Sequence, residues 1–249
     1  MAPKRLVRFL AWGGCAAGIA AAAAAAWWFM PGEDLEEWRD GPPPHLWATS
    51  QRQEAHWREQ GTHRTIETSY VPLSEISLDA QLAVLVSEDI DFFGHGSVDV
   101  DAVMEALEEG RKPGARLRGA STISQQLAKT LFLSGERTLW RKVKELRLAW
   151  WLERKLGKRR ILELYLNVVE FGPGVYGAEA AARHYYRVPA GDLDAERASG
   201  LVAAIPSPGR DNPATETRRW QLRRATILRR MSRAAWLRER LLSLRARGD

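Results

Sequence analysis

The feature that most constrains this chain is an uncharged run of 22 residues, Phe9 to Met30. As a helix rising about 1.5 Å per residue it covers roughly 33 Å, enough to cross the hydrocarbon core of a bilayer. Lys4, Arg5 and Arg8 precede the run, while Glu33, Asp34, Glu36 and Glu37 follow it. Positive charge stays on the cytoplasmic side, so the remaining chain is expected to face outward. Trp27, Trp28 and Phe29 stand where an interfacial aromatic belt belongs. A cleavable signal peptide is the competing assignment, because Ala20 to Ala26 offers small-residue cleavage sites. The apolar region of such peptides usually spans about 7–15 residues, and this one is longer and ends in aromatics. The expectation is one transmembrane helix at 9–30, preceded by a cytoplasmic basic tail at 1–8.

The rest of the 249 residues is long enough for one domain with a full core. The single cysteine, Cys15, lies inside the apolar run, so no intramolecular disulfide can form. Residues 31–70, with Pro42-Pro43-Pro44 and scattered tryptophans, are expected as a juxtamembrane linker. A domain spans 71–235, and 236–249 forms a basic C-terminal tail. Twelve arginines lie between Arg210 and Asp249 against four acids. Beside a membrane, that excess suits either anionic lipid head groups or a merely solvated helix, and it gives no reason to invoke nucleic acid.

Helical periodicity dominates from Val71 onward, and no stretch alternates as a strand would. The predicted helices are Leu78–Glu88, Val98–Leu107, Thr122–Leu131, Leu139–Leu156, Ile161–Val168, Tyr176–Tyr185, Ala195–Ile205 and Arg218–Leu244, the last broken or continuous. Gly157 suits a helix C-terminus, and Asp194 an N-cap. The fold class is therefore all-α.

Two glutamates stand out. Glu88 ends an apolar helix and shares a face with Val84 and Leu85. That is a setting for a general base, or for a helix-end carboxylate paired with some cation. Glu145 has Leu148, Ala149 and Leu152 on its face, with Arg141 and Lys142 one turn earlier. It is either a member of a structural ion pair or part of a phosphate-binding cleft. Arg137, Arg141, Lys142 and Lys144 supply more cations than one glutamate needs. Gly119-Ala120-Ser121-Thr122 reads as a turn into a helix whose free N–H groups and hydroxyls would suit an anion. Gln125 and Lys129 follow at i and i+4. His95 reads as a packed loop histidine. The five histidines lack metal-ligand spacing, and no nucleotide-binding glycine pattern occurs. The Ser-x-x-Lys of penicillin-binding transpeptidases is absent too.

Taken together these segments resemble the peptidoglycan glycosyltransferases of family 51, over roughly residues 80 to 210. The first motif is Glu88-Asp89-Ile90-Asp91-Phe92 with His95, and the second is Gly119 through Lys129, including Gln125 and Gln126. Arg141 to Glu145 fits the third, Arg160 to Asn167 the fourth, and Phe171 to Gly177 with Ala180 to Tyr185 the fifth. The glycine after His95 is shifted, Thr130 follows Lys129, and Tyr185-Tyr186-Arg187 closes the fifth motif differently.

The resemblance implies a lysozyme-like helical lobe with a smaller membrane-proximal jaw lobe. It implies polymerisation of lipid II into glycan strands by a monofunctional enzyme of the bacterial inner membrane, working on the periplasmic side. Glu88 would deprotonate the acceptor 4-hydroxyl. Glu145, Ser121, Thr122, Gln125, Gln126, Lys129, Arg137 and Arg141 would manage the pyrophosphate, with or without Mg²⁺ or Mn²⁺ beside Glu145, and no obligatory cofactor is evident. Expected partners are lipid II, the nascent strand, membrane lipids and proteins of cell-wall synthesis or division. A lysozyme-type glycan-cleaving enzyme would need no pyrophosphate-binding cations, and a dead scaffold would not need all of these side chains.

Overall fold

The computed structural model describes residues 26–28, 35–62, 64–101, 104, 108, 121–133 and 138–247. Met1–Asp34 and Leu35–Asp249 are two compact units, and every element below belongs to the second. Among the described residues eight α-helices carry its core: α1 (Ala48–Glu59), α2 (Leu78–Glu88), α3 (Ile123–Phe132), α4 (Leu139–Val168), α5 (Ala178–Tyr186), α6 (Ala195–Ala204), α7 (Arg218–Arg233) and α8 (Ala235–Arg247). Among the described residues no helix is long and apolar enough to cross a membrane. The expected anchor at 9–30 lies outside the described residues except for 26–28, and the expected helix Val98–Leu107 is mostly outside them.

Helix α2 is the centre of the unit. Ser77 caps it, its hydroxyl accepting from the Ala80 N–H at 3.0 Å. Every residue from Ala80 to Val86 is buried, and α6, α7 and α8 pack around it. Full burial of Leu82, Val84 and Leu85 contributes about 1.5–3 kcal/mol each. Elsewhere the chain uses the same N-cap device. Thr122, Thr138, Asp194 and Thr217 each accept from the N–H three residues on.

Helix α4 joins two helices predicted separately. Gly157 sits between them at φ 75°, ψ 164°, backbone that only glycine adopts without strain. The predicted Arg218–Leu244 helix is broken at Ala234 into α7 and α8. Leu237 and Leu241 of α8 are buried, so the segment expected as a tail is packed helix as far as Arg247. Its arginines partly serve the protein itself: Arg238 pairs with Asp79, and Arg245 donates to the Ser74 carbonyl at 2.5 Å.

The mostly helical expectation holds, but it missed a small sheet. Strand β3 (Val175–Tyr176) pairs parallel to β1 (Glu67–Thr68) and antiparallel to β2 (Glu170–Gly172). Strands of two or three residues are too short to show alternation. Pro173 and Gly174, the latter at φ 84°, turn the chain between β2 and β3. A Cβ on Gly174 would fall 2.7 Å from the Thr65 carbonyl oxygen.

Helix α1 was not predicted either, lying in the stretch expected as a linker. It is held at both ends of its first turn. Trp47 Nε1 donates to the Asn167 carbonyl at 3.2 Å, and Thr49 Oγ1 donates to the Leu131 carbonyl at 3.3 Å. A buried polar clasp reinforces this attachment. Arg160 donates from Nε to the Trp38 carbonyl at 2.7 Å, from Nη2 to the Gly41 carbonyl and from Nη1 to Glu163 and Tyr70. Glu163 accepts from the Tyr70 hydroxyl at 2.6 Å and the Leu73 N–H at 2.8 Å. Asn167, wholly buried, exchanges hydrogen bonds with the Val71 N–H and C=O at 2.9 Å each. Burial, reinforced by Glu163, pushes the Tyr70 phenol up to about 12. The polar residues of the fourth sequence motif are consumed by architecture.

Candidate active site

Glu88 closes α2 with its carboxylate only 11% exposed. Ser87 Oγ donates to Oε1 at 2.8 Å, and Gln126 Nε2 donates to Oε2 at 3.2 Å. Along its own helix Glu88 has no cation, as expected, but α7 delivers one. Arg223 Nη2 donates to Glu88 Oε1 at 2.9 Å and to Ser87 Oγ at 3.1 Å. Sequence reasoning missed Arg223 because it lies far along the chain within an arginine-rich helix, where no spacing distinguishes it from its neighbours.

Gln126 extends the network. Its Oε1 accepts from the Tyr165 hydroxyl at 2.9 Å. Complete burial, followed by the nearby Glu88 charge, pushes the Tyr165 phenol well above its ordinary value. Tyr165 is therefore a fixed donor that orients the Gln126 amide, which in turn presents its NH₂ to Glu88.

Beyond Gln126 an open cleft runs between α1 and α3. Gln126, Lys129 and Thr130 form one wall with Arg141, while Trp47, Thr49 and Gln53 form the other. Tyr165, Val169, Glu170 and Tyr176 line its base. The face of α3 toward the cleft is thus Gln126–Lys129–Thr130, where the sequence pointed to Gln125, Gln126 and Lys129. Gln125 turns inward instead: Nε2 donates to the Ser97 carbonyl at 2.8 Å, and Oε1 accepts from Lys142 Nζ at 2.9 Å. Thr122 is buried as the N-cap and donates to the same Ser97 carbonyl at 3.0 Å. Ser121 accepts from Lys142 Nζ at 3.3 Å. Arg137 lies outside the described residues.

Glu145 is buried, with both oxygens taken by its own helix. Lys142 Nζ reaches Oε1 at 2.5 Å and Arg141 Nη1 reaches Oε2 at 2.9 Å. The sequence left room for a divalent ion here without requiring one. Among the described residues no three His, Cys, Asp or Glu side chains gather as a metal cage. A carboxylate already shared by two cations does not fit a resident divalent ion. Glu145 instead fixes Arg141, whose side chain is 21% exposed and borders the cleft.

The loop after Glu88 is pinned by Asp89. Its Oδ2 accepts from the Ile123 N–H at the start of α3 at 3.0 Å, and its Oδ1 lies 2.6 Å from His95 Nε2. Burial raises the Asp89 carboxyl, against the lowering pull of His95, the Ile123 N–H and Lys158. For His95 burial, the largest influence, acts downward. Hydrogen bonds to Gly96 O and Asp89 outweigh it and leave the imidazole raised. His95 is a packed loop histidine, as its sequence context predicted.

A second carboxyl escaped sequence reasoning. Glu170, half-buried on β2, lines the cleft base; burial raises it, with the Gly174 N–H at 3.4 Å pulling downward.

Comparison with known proteins gives a consistent answer. The family model described as Transglycosylase matches residues 55–232. The biosynthetic peptidoglycan transglycosylase of Nitrosospira multiformis is 48% identical over 151 residues, 61% of this chain and 66% of that protein. That of Methylobacillus flagellatus is 50% identical over 143 residues, 57% of this chain and 62% of that protein. For Bordetella pertussis the figures are 46% over 185 residues, 72% of this chain and 76% of that protein. The chain thus covers a little under two thirds of the first two relatives.

Proposed function

The chain belongs to the transglycosylase family, and from that premise we propose that it polymerises peptidoglycan glycan strands from lipid II, without transpeptidase activity. Glu88 takes the proton from the acceptor 4-hydroxyl, and the resulting alkoxide displaces the donor's pyrophosphate with inversion at the anomeric carbon. Arg223, Ser87 and Gln126 hold the Glu88 carboxylate in one orientation. Lys129 and Arg141 offer cations to the departing pyrophosphate from the cleft wall, with Glu145 and Lys142 fixing Arg141 in place. Ser121, Thr122 and Gln125 act behind that wall, shaping it through Lys142 and the Ser97 carbonyl.

The observation that carries this reading is the position of Gln126. One side chain both hydrogen-bonds the partly buried Glu88 and lines the cleft that Lys129 and Arg141 border. A lysozyme-type hydrolase has no use for two cations there. The test is to supply lipid II to the detergent-solubilised protein and look for polymer on a gel. Release of fragments from purified sacculi, with no polymer formed, would favour the cleaving enzyme.

The same proposal keeps a single anchor at 9–30, with the enzyme on the outer face of the inner membrane beside its lipid-linked substrate. An intact mature N-terminus supports it, whereas one beginning near residues 24 to 32 would replace the anchor by a cleaved signal. The exposed arginines of α7 then suit anionic lipid or proteins of cell-wall synthesis and division.

A further inference from the structure

We propose that Glu170 is a sugar-binding residue of the cleft, accepting hydrogen bonds from the hydroxyl or acetamido N–H groups of an amino-sugar unit. This rests on the polymerase reading and adds to it a residue outside the cationic wall.

Glu170 occupies the first position of β2 and faces Tyr176 across the antiparallel pair, beside an irregularity in register between Glu170 and Gly172. Such an irregularity locally re-aims a side chain. Glu170 and Tyr176 both line the base of the cleft, and Trp47 stands on its wall. The Trp47 N–H is already spent on the Asn167 carbonyl, which leaves its ring as an apolar surface. A carboxyl that lines one cleft together with two aromatic rings matches the chemistry of a pyranose, whose C–H face stacks on rings while its rim offers hydroxyls.

What Glu170 lacks is equally informative. Among the described residues its side chain has one hydrogen bond, from the Gly174 N–H at 3.4 Å, and it enters no ion pair, although Lys129 and Arg141 line the same cleft. A desolvated carboxyl held so weakly has hydrogen-bonding capacity left for a ligand. Burial raises its carboxyl, as the Tyr176 phenol opposite is raised by burial and by the Glu170 charge. A glutamine at this position keeps a side-chain oxygen acceptor of the same shape.

The experiment compares Glu170→Ala and Glu170→Gln in two assays: lipid II polymerisation kinetics, and calorimetric titration with the soluble β-1,4-linked tetramer of N-acetylglucosamine. Thermal unfolding is followed in parallel. Loss of one or two such hydrogen bonds is worth about tenfold. The expected result is a KM for lipid II about tenfold higher in Glu170→Ala with kcat nearly unchanged, and near-normal values in Glu170→Gln. The tetramer should weaken in the same order. An unchanged KM in Glu170→Ala overturns the assignment. So does a Glu170→Gln protein as impaired as Glu170→Ala. Should the wild-type protein make no polymer at all, it is the polymerase reading that fails. The titration then decides Glu170 alone: tetramer binding that only Glu170→Ala loses supports it, and any other pattern overturns it.

Discussion

Arg223 reaches from α7 to donate a 2.9 Å hydrogen bond to Glu88, 135 residues away in the chain. Replacing Arg223 by Met removes that partner and leaves Glu88 to Ser87 and Gln126. Because Arg223 is 36% exposed, the loss of stability should be modest, about 1–2 kcal/mol. Turnover should fall about tenfold as the carboxylate loses its orientation, and Arg223→Lys should recover part of it. Chemical denaturation beside kcat measures both. Unchanged turnover in a destabilised Arg223→Met protein would make the pair purely architectural.

Glu88→Gln preserves shape and can still accept from Arg223, so folding should survive. Polymerisation should drop by about 10²-fold or more, the scale of a lost general base. Affinity for a phosphoglycolipid inhibitor should stay nearly intact in this variant. Lys129→Ala and Arg141→Ala should each weaken that inhibitor by about 1.5–3 kcal/mol, as expected for charge-assisted hydrogen bonds. Near-normal turnover by folded Glu88→Gln would refute the assignment.

Glu145→Gln leaves Arg141 and Lys142 without their shared counter-charge. Both cations retain solvent contact, so the cost should be about 1–3 kcal/mol, short of that for a sealed pair. Inhibitor affinity should decrease as Arg141 loosens. With both oxygens already occupied by cations, the response of turnover to Mg²⁺ should match that of wild type. A changed Mg²⁺ response would return a metal to this carboxylate.

The Asp89–His95 contact makes the loop after Glu88 sensitive to pH. His95 is raised above its ordinary value of about 6.5, so its contribution to stability is complete below that pH and fades as pH rises through the folded value. Asp89 is raised as well, so its contribution has the same sign at lower pH, fading upward from about 4. Amide exchange across residues 89–97 should therefore quicken relative to the core as pH rises from about 6 to 8, after correction for intrinsic rates. His95→Gln should flatten that dependence. A loop whose protection grows with pH would contradict the sign.

Asn167→Ala should be costly in another way. It strands the Val71 N–H and C=O, each worth about 1–3 kcal/mol when buried without a partner. The unfolding midpoint should fall by several degrees. Turnover per folded molecule should fall less than in Glu88→Gln, which an active-site titration would separate.

Much of this architecture was legible in the sequence. The N-cap at Asp194, the break at Gly157 and the apolar run of α2 are local signals, and the chain uses them as such, whereas Thr122, read as facing an anion, is the N-cap of α3. Helix α1 was hidden because Ser50 is its only fully buried residue, which leaves almost no periodicity to detect. Glu88, Glu145, Lys129 and Arg141 were visible as residue types in context. Arg223 and Glu170 depend on contacts between distant segments and short strands, where sequence spacing carries no information. Gln125 and Gln126 were both expected in the site, and the roll of α3, set by the Ser97 carbonyl and Lys142, turns only Gln126 to the cleft.

The Arg160 clasp bears on the order in which the fold assembles. Its hydrogen bonds to the Trp38 and Gly41 carbonyls span 122 and 119 residues. One wall of the cleft is therefore emitted early in synthesis but has nothing to dock against until α4 exists. Ring closure over such distances is slow, and hydrogen bonds compensate it only once both ends have met. A chain shortened to begin at Val71 would escape this delay, yet it would fold around a trough with one bank missing: Trp47, Thr49 and Gln53 would be gone, and Lys129 and Arg141 would face open water.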